Sequence, residues 1–321
     1  MITFSEVSRL SPPMATRNAY GEVLAELGAE REEIVVLDAD VSVSTRTILF
    51  ARRFPERFFN MGIAEQDMIG TAAGLALVGK VPFASSYAVF ATGRAWEQIR
   101  QSICYPNLNV KIVASHSGLT VGEDGASHQA LEDIGVMRVL PNMTVVVPAD
   151  AIETTMAVRA AVEHIGPMYI RIGRPKVPRV IPEDYEFKIG RAYVYHMGKD
   201  INIIAAGVMV GESLKACEIL QREGIDAGLI NMSTIKPLDG EILIEAAKTS
   251  GKIITAEEHS IIGGLGSAVA EYLSEHYPTP VKRIGVNDMF GRSGSAEDLL
   301  RIYQLTSHDI ATKVKEFLTI H

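Results

Sequence analysis

Short apolar runs ending in polar side chains, spaced so that a helical pattern fits between most of them, set the fold class of the chain's first half. They are Ile34–Asp40, Pro82–Tyr87, Val110–Ser115, Thr144–Ala149 and Met168–Gly173. Runs this short, with no polar alternation, are what strands look like when both faces are buried, as in parallel sheets covered by helices. The alternation predicts an α/β fold, a mostly parallel sheet with helices on both faces. Ligands collect at the carboxyl ends of such strands.

That rule nominates residues. Asp38 and Asp40 end the first run, Ser85, Ser86 and Tyr87 end the second, and His116 follows Val110–Ser115. Beyond it lies SGLTVGEDGASHQ, a glycine-bearing stretch holding Glu123, Asp124 and His128. Asp and Gly in such a stretch ordinarily make solvated turns. Histidines and acids gathered at the end of a buried strand are also the usual proton-transfer and hydroxyl-binding groups, and a site is expected here. Their spacing matches no zinc motif.

Between the first two runs stands FNMGIAEQDMIGTAAGLALVGK, Phe59 to Lys80. Glu65 opens a helical pattern in which Ile69, Gly70, Ala72, Ala73, Gly74, Leu75 and Leu77 are too small and apolar for an exposed helix, so burial on most sides is expected. Two forces act on Glu65. The helix dipole favours the ionised carboxylate, with Glu65 as a cap, whereas apolar surroundings favour the protonated form.

Ser11 is expected to cap a helix from Met14 to Leu27 that Gly28 closes. After IRIGRP, Pro175, Pro178 and Pro182 mark an extended linker. The boundary is placed near residue 186, giving domains 1–185 and 186–321. A second α/β alternation follows, with strands at Ile201–Gly207, Ala227–Ile230, Ile253–Glu257 and Val281–Val286. Its helices start near Val210, Leu238, Gly263, Ala296 and His308, and Ser295 to Asp298 reads as a capping signal. IIGGLGSAV fails as a dinucleotide fingerprint, because Val269 stands where the third small residue belongs.

At 321 residues, 47% hydrophobic and 22% charged, the chain suits two globular domains. No run approaches a membrane span and the amino terminus lacks a signal-peptide layout, so a cytoplasmic protein with no membrane partner is expected. A formal net charge of −8 argues against a nucleic-acid surface. Cys104 and Cys217 lie on separate helical segments and suggest neither a disulfide framework nor a metal site.

With these residues assembled, the chain resembles the carboxyl-terminal half of transketolase, its pyrimidine-binding domain followed by its carboxyl-terminal domain. The markers are ATRNAY at Ala15, LDADVS at Leu37, FNMGIAEQ at Phe59, SSYAVF at Ser85, SHSGLTVGEDGASHQ at Ser115, LPNMTVVVPAD at Leu140 and IRIGRP at Ile170. The resemblance implies thiamine diphosphate as cofactor. In the family, a glutamate matching Glu65 hydrogen-bonds a ring nitrogen of the aminopyrimidine and promotes the imino tautomer that removes the thiazolium proton. Gly62, Ile63 and Ala64 are expected to supply the low-dielectric surroundings such a carboxyl needs. Phe90 matches the aromatic that stacks on the aminopyrimidine, and Tyr87 a second aromatic. Gly93 departs from the family, where tyrosine is frequent. His116 and Asp124 match residues that contact sugar hydroxyls, His128 a further active-site histidine, and Arg17, Ser44 and Arg174 phosphate-binding positions.

The family holds the cofactor's diphosphate through a metal, bound by a GDG motif and a later asparagine in a separate domain. This sequence has no such pair, so no metal ligands are assigned to it. The resemblance therefore implies a second polypeptide carrying the diphosphate domain and its magnesium or calcium, in a two-plus-two heterotetramer. The implied activity is transfer of a two-carbon ketol unit from a ketose phosphate to an aldose phosphate. The beta chain of a 2-oxo-acid dehydrogenase and 1-deoxyxylulose-5-phosphate synthase are neighbouring readings. A non-catalytic binding module that kept the fold is a third.

Overall fold

Each apolar run of the first half is a strand of one sheet: Ile34–Asp38, Val81–Tyr87, Lys111–Ser115, Thr144–Val146 and Met168–Arg171. This is seen in a computed structural model of the chain, which describes residues 3–319. In space the sheet runs Thr234–Lys236, Thr144–Val146, Met168–Arg171, Lys111–Ser115, Val81–Tyr87, Ile34–Asp38, Phe58–Asn60. Every neighbouring pair is parallel except the first, which is antiparallel. Ile34–Asp38, Lys111–Ser115 and Met168–Arg171 are buried at every position, as strands covered on both faces must be.

Neither edge strand has the long apolar run of the central strands, each being only three residues long. Phe58–Asn60 is partly exposed throughout. Thr234–Lys236 comes from the second half of the chain and crosses back to complete the first sheet. There Lys236 Nζ donates to the carbonyls of Arg138 at 3.0 Å and Leu140 at 2.5 Å.

The second sheet has the order Val281–Val286, Ile253–Ser260, Ile201–Ala205, Ala227–Asn231, Tyr193–His196, parallel except for its last pair. Helices Met209–Arg222, Gly240–Ser250, Leu265–His276, Ala296–Ile302 and Ser307–Thr319 accompany it. Ser295 caps the fourth, its Oγ accepting the Asp298 N–H at 3.1 Å. The two sheets are joined by a buried polar node. Glu153 accepts hydrogen bonds from the Tyr185 hydroxyl at 2.6 Å, Asn231 Nδ2 at 2.9 Å and the Ala149 amide at 2.7 Å. Among the described residues no helix is long and apolar enough to cross a membrane.

Three local expectations are corrected. Met14–Ala15 is extended and pairs antiparallel with Lys176–Val177, so the first long helix begins at Thr16 with Ala15 as its N-cap, and Ser11 caps nothing. Gly28 does not close that helix, which runs to Glu30. Its hydrogen instead faces the Phe50 and Phe54 rings, and a Cβ there would lie 2.7 Å from Phe54 Cε2, so close packing explains this glycine.

The third correction concerns helix Glu65–Leu77. Met68, Ile69, Ala72 and Ala73 are buried in the core, but Gln66, Asp67, Gly70, Gly74 and Leu77 face outward. Leu77 is 71% exposed, and a Cβ added at Gly70 or Gly74 would meet nothing within 4 Å. The small apolar residues cover both faces, and this chain buries only one.

Candidate active site

The carboxyl ends of Ile34–Asp38, Val81–Tyr87 and Lys111–Ser115 form the floor. Asp38 is fully buried and builds the loop beside it: the Val41 amide donates to one oxygen at 2.7 Å, and the Thr45 and Thr47 hydroxyls donate to the other at 2.7 and 2.8 Å. That loop presents Ser44. Directly after its strand, His116 adopts φ +57°, a left-handed conformation uncommon for residues with a side chain. The turn drops its ring into the floor, 2% exposed.

His116 is the hub. Its Nδ1 lies 2.8 Å from Ser115 Oγ, its Nε2 lies 3.5 Å from Arg17 Nη1, and its ring centroid is 4.1 Å from that of Tyr87. Burial, followed by the charges of Arg17 and Arg174, pushes the imidazole down to about 3, so the ring is neutral at physiological pH. A depressed value has a definite sign. The neutral ring's contribution to stability is complete above the unfolded value near 6.5 and is lost as pH falls toward about 3. Between pH 7 and pH 5 the wild type is therefore expected to lose about 2 kcal/mol relative to His116→Asn. Urea denaturation at the two pH values checks this, and parallel curves for the two proteins refute it.

From His116 the contacts spread in both directions. The Tyr87 hydroxyl donates to Ser44 Oγ at 3.0 Å, and Arg17 Nη1 donates to the Ser44 carbonyl at 3.0 Å. Burial, then the charges of Arg46 and Arg174, lower Arg17 from its ordinary value. Its buried Nε has no hydrogen-bond partner, so this cationic corner suits an anion. On the other side, the His128 ring stands 5.9 Å from Tyr87 and 5.3 Å from Phe90, with Tyr87 and Phe90 6.1 Å apart. Arg174 Nη1 donates to the Val121 carbonyl at 2.6 Å and lies 3.5 Å from Asp124 Oδ1.

Glu65 is the first residue of its helix, 4% exposed. Ala64 is the N-cap and no side chain caps the helix, which removes the capping role. The carboxylate accepts from Ser86 Oγ at 3.4 Å, and Arg94 Nη1 stands 3.3 Å from both its oxygens. The same guanidinium lies over the Phe90 ring, 4.1 Å from its centroid. Glu65 thus reaches Phe90 through Arg94, and one run of contacts continues from Phe90 to Arg17. The surroundings expected of Gly62, Ile63 and Ala64 are not realised within this chain, since Ile63 is 75% exposed. An open pocket lined by Ile63, Ala64, Gln66, Asp67 and Arg94 lies beside the carboxylate instead.

Arg94 was not singled out from sequence, although it follows Phe90 by four positions and so shares its helix face. Its placement tests the fit of a cofactor. A guanidinium is planar and donates N–H groups, as an aminopyrimidine does. One sits here between a buried carboxylate and an aromatic face, so these residues fit an aminopyrimidine ring. No group of three or more His, Cys, Asp or Glu side chains able to hold a metal occurs among the described residues.

The chain matches the transketolase pyrimidine-binding domain over residues 12–179 and the transketolase C-terminal domain over residues 190–310. A Methanocaldococcus jannaschii protein, provisionally named as a transketolase C-terminal section, is 52% identical, the alignment covering 94% of this chain and 95% of that one. A Clostridium protein named 6-deoxy-6-sulfo-D-fructose transketolase subunit SqwH is 40% identical over 94% of this chain and 93% of its own. A solved structure described as a split gene transketolase, inactive beta4 tetramer, superposes with TM-score 0.89 at 56% identity, covering 95% of this chain and 99% of that one. The family implies dependence on thiamine diphosphate. The chain belongs to the transketolase family and carries its pyrimidine-binding and carboxyl-terminal domains.

Proposed function

We propose that the chain is the pyrimidine-binding subunit of a split transketolase that moves a two-carbon ketol unit from a ketose phosphate to an aldose phosphate. The observation that carries this reading is the continuous run of contacts from Glu65 through Arg94, Phe90, His128, Tyr87 and His116 to Arg17. It offers a cofactor-ring site at one end and an anion site at the other. When bound, thiamine diphosphate supplies the carbon that carries the ketol unit. Glu65 holds or shares a proton at the aminopyrimidine nitrogen, and Phe90 with Tyr87 gives the ring an aromatic wall. Neutral His116, its Nδ1 engaged by Ser115, meets a sugar hydroxyl through Nε2, His128 moves a proton beside it, and Asp124 reads hydroxyl stereochemistry. Arg17 and Arg174 take the phosphate with their forked donors, beside Ser44.

The diphosphate and its magnesium or calcium are assigned to a separate subunit in a two-plus-two heterotetramer. The exposed side of the Glu65 pocket, which this chain leaves unsealed, supports that assignment. So does the description of the 56%-identical relative as inactive when it is a beta4 tetramer. Co-expression with a diphosphate-binding subunit, followed by a ketol-transfer assay with thiamine diphosphate and magnesium, tests the proposal. Transfer by the pair and none by either chain is the expected result. Activity of this chain alone overturns the split reading. Arg174→Ala is expected to raise the KM of phosphorylated donors about tenfold and that of unphosphorylated donors far less. Equal increases remove Arg174 from the phosphate site.

A further inference from the structure

Asp124 and His128 sit on a loop, residues 117–129, whose backbone is bonded mostly to itself and which meets the carboxyl-terminal domain at a few defined points. Gly118, at φ +74°, packs directly on the Glu258 carboxyl, and the Thr120 amide donates to Glu258 Oε1. Further along, Gln129 Nε2 donates to the Leu119 carbonyl within the loop at 3.1 Å and to the Arg292 carbonyl in the other domain at 3.0 Å. A weaker bond to the Gly122 carbonyl spans 3.4 Å. At the tip, a Cβ on Gly125 would stand 2.6 Å from Ser293 Oγ. Past the loop, the Ser260 amide donates to the Leu131 carbonyl at 2.8 Å, and Arg171 Nη2 bridges the carbonyls of Ala130 at 3.1 Å and Glu258 at 3.0 Å.

We propose that Glu258 and Gln129 are positioning residues, through which the carboxyl-terminal domain sets where the 117–129 loop holds Asp124 and His128 against His116. This rests on the ketol-transfer reading. Neither residue is in the run of contacts from Glu65 to Arg17, yet Glu258 is 5% and Gln129 3% exposed; Glu258 Oε1 accepts from the loop's Thr120 amide, and Gln129 Nε2 ties the Leu119 carbonyl of the loop to the Arg292 carbonyl of the other domain. Burial of a carboxylate and an amide is costly, and apolar side chains would join two domains more cheaply. Directional bonds to named carbonyls and amides fix a register, which apolar contact does not. Burial pushes the Glu258 carboxyl up to about 7, against the charge of Arg171 and the Thr120 amide, so the loop amide opposes its protonation.

In the assembled two-chain enzyme, Glu258→Ala is expected to raise the donor KM about tenfold or more, since small misplacements of positioning groups have effects of that order. Thiamine diphosphate affinity, read by calorimetry, stays at the wild-type value. Glu258→Gln keeps an oxygen for the Thr120 amide and recovers most of the donor KM. Gln129→Ala, which leaves Glu258 in place, shifts donor KM in the same direction. An unchanged donor KM, or a parallel loss of cofactor affinity, overturns the proposal.

Hydrogen exchange on the isolated chain gives an answer independent of activity. Faster exchange confined to residues 117–129 in Glu258→Ala, and slowed again in Glu258→Gln, supports positioning. Unaltered exchange, or loosening spread over the whole carboxyl-terminal domain, refutes it. If the wild-type pair shows no ketol transfer, the functional reading fails while the exchange experiment still decides whether the loop is held in this way.

Discussion

Glu65→Gln in the assembled enzyme is expected to lower kcat for ketol transfer by about 10²–10⁴-fold, the range that a positioned acid or base contributes. The substitution preserves shape and can still accept from Ser86, but an amide cannot take up or share a proton with a ring nitrogen. Glu65 is 4% exposed and caps no helix, so its burial serves nothing local. The isolated variant should therefore melt no lower than the wild type, because Arg94, half exposed on the other side of the pair, turns to water when the carboxylate is gone. Single-turnover kinetics separate the outcomes. If the rate is unchanged with cofactor saturating, Glu65 is not the proton-handling group.

The largest stability effect is expected at Asp133. Its carboxylate, with no solvent exposure, accepts from Arg171 Nε at 2.7 Å and from the Tyr169 hydroxyl at 2.6 Å. Burial pushes the Asp133 carboxyl up, but the Arg171 charge and the hydrogen bonds outweigh it and hold the group below its ordinary value. Removing one member of such a pair strands the other. Asp133→Ala is expected to cost about 3–5 kcal/mol in urea denaturation, and a loss below 1 kcal/mol contradicts the assignment. A lowered carboxyl stabilises above its unfolded value and loses that contribution as pH falls through the folded one. The gap between wild type and variant should accordingly narrow only in strong acid, below pH 4.

Strands buried on both faces were legible because burial leaves an unbroken apolar run; Ile34–Asp38 and Lys111–Ser115 were found for this reason. Thr234–Lys236 was not, since an edge strand needs only a neighbour and that neighbour is far away in sequence. The helix from Glu65 is less buried than its composition suggests, because small apolar residues on both faces do not tell which face this chain covers. At the site, the strand-end rule nominated His116, the helical pattern after Phe59 drew out Glu65, and motif resemblance gave Glu65 a role and added Phe90, Arg17 and Arg174. The structure gathers these with Tyr87, Ser44 and His128 into one set of contacts, with Asp124 beside Arg174. Arg94 escaped because an arginine on a short helix is normally solvated, and only folding brings it over Phe90. Glu258 and Gln129 escaped for a similar reason, as their partners are backbone atoms whose positions no side-chain pattern records.

The crossing strand has a consequence for the order in which the protein can be made. Until Lys236 has left the ribosome, Thr144–Val146 presents an open row of amides and carbonyls at the sheet edge. Synthesis proceeds at roughly 5–20 residues per second, so the amino-terminal sheet waits for seconds with that edge uncapped. A nascent chain stalled between the two domains would therefore be sticky along one defined line, and that line is where a holding chaperone would be expected to act.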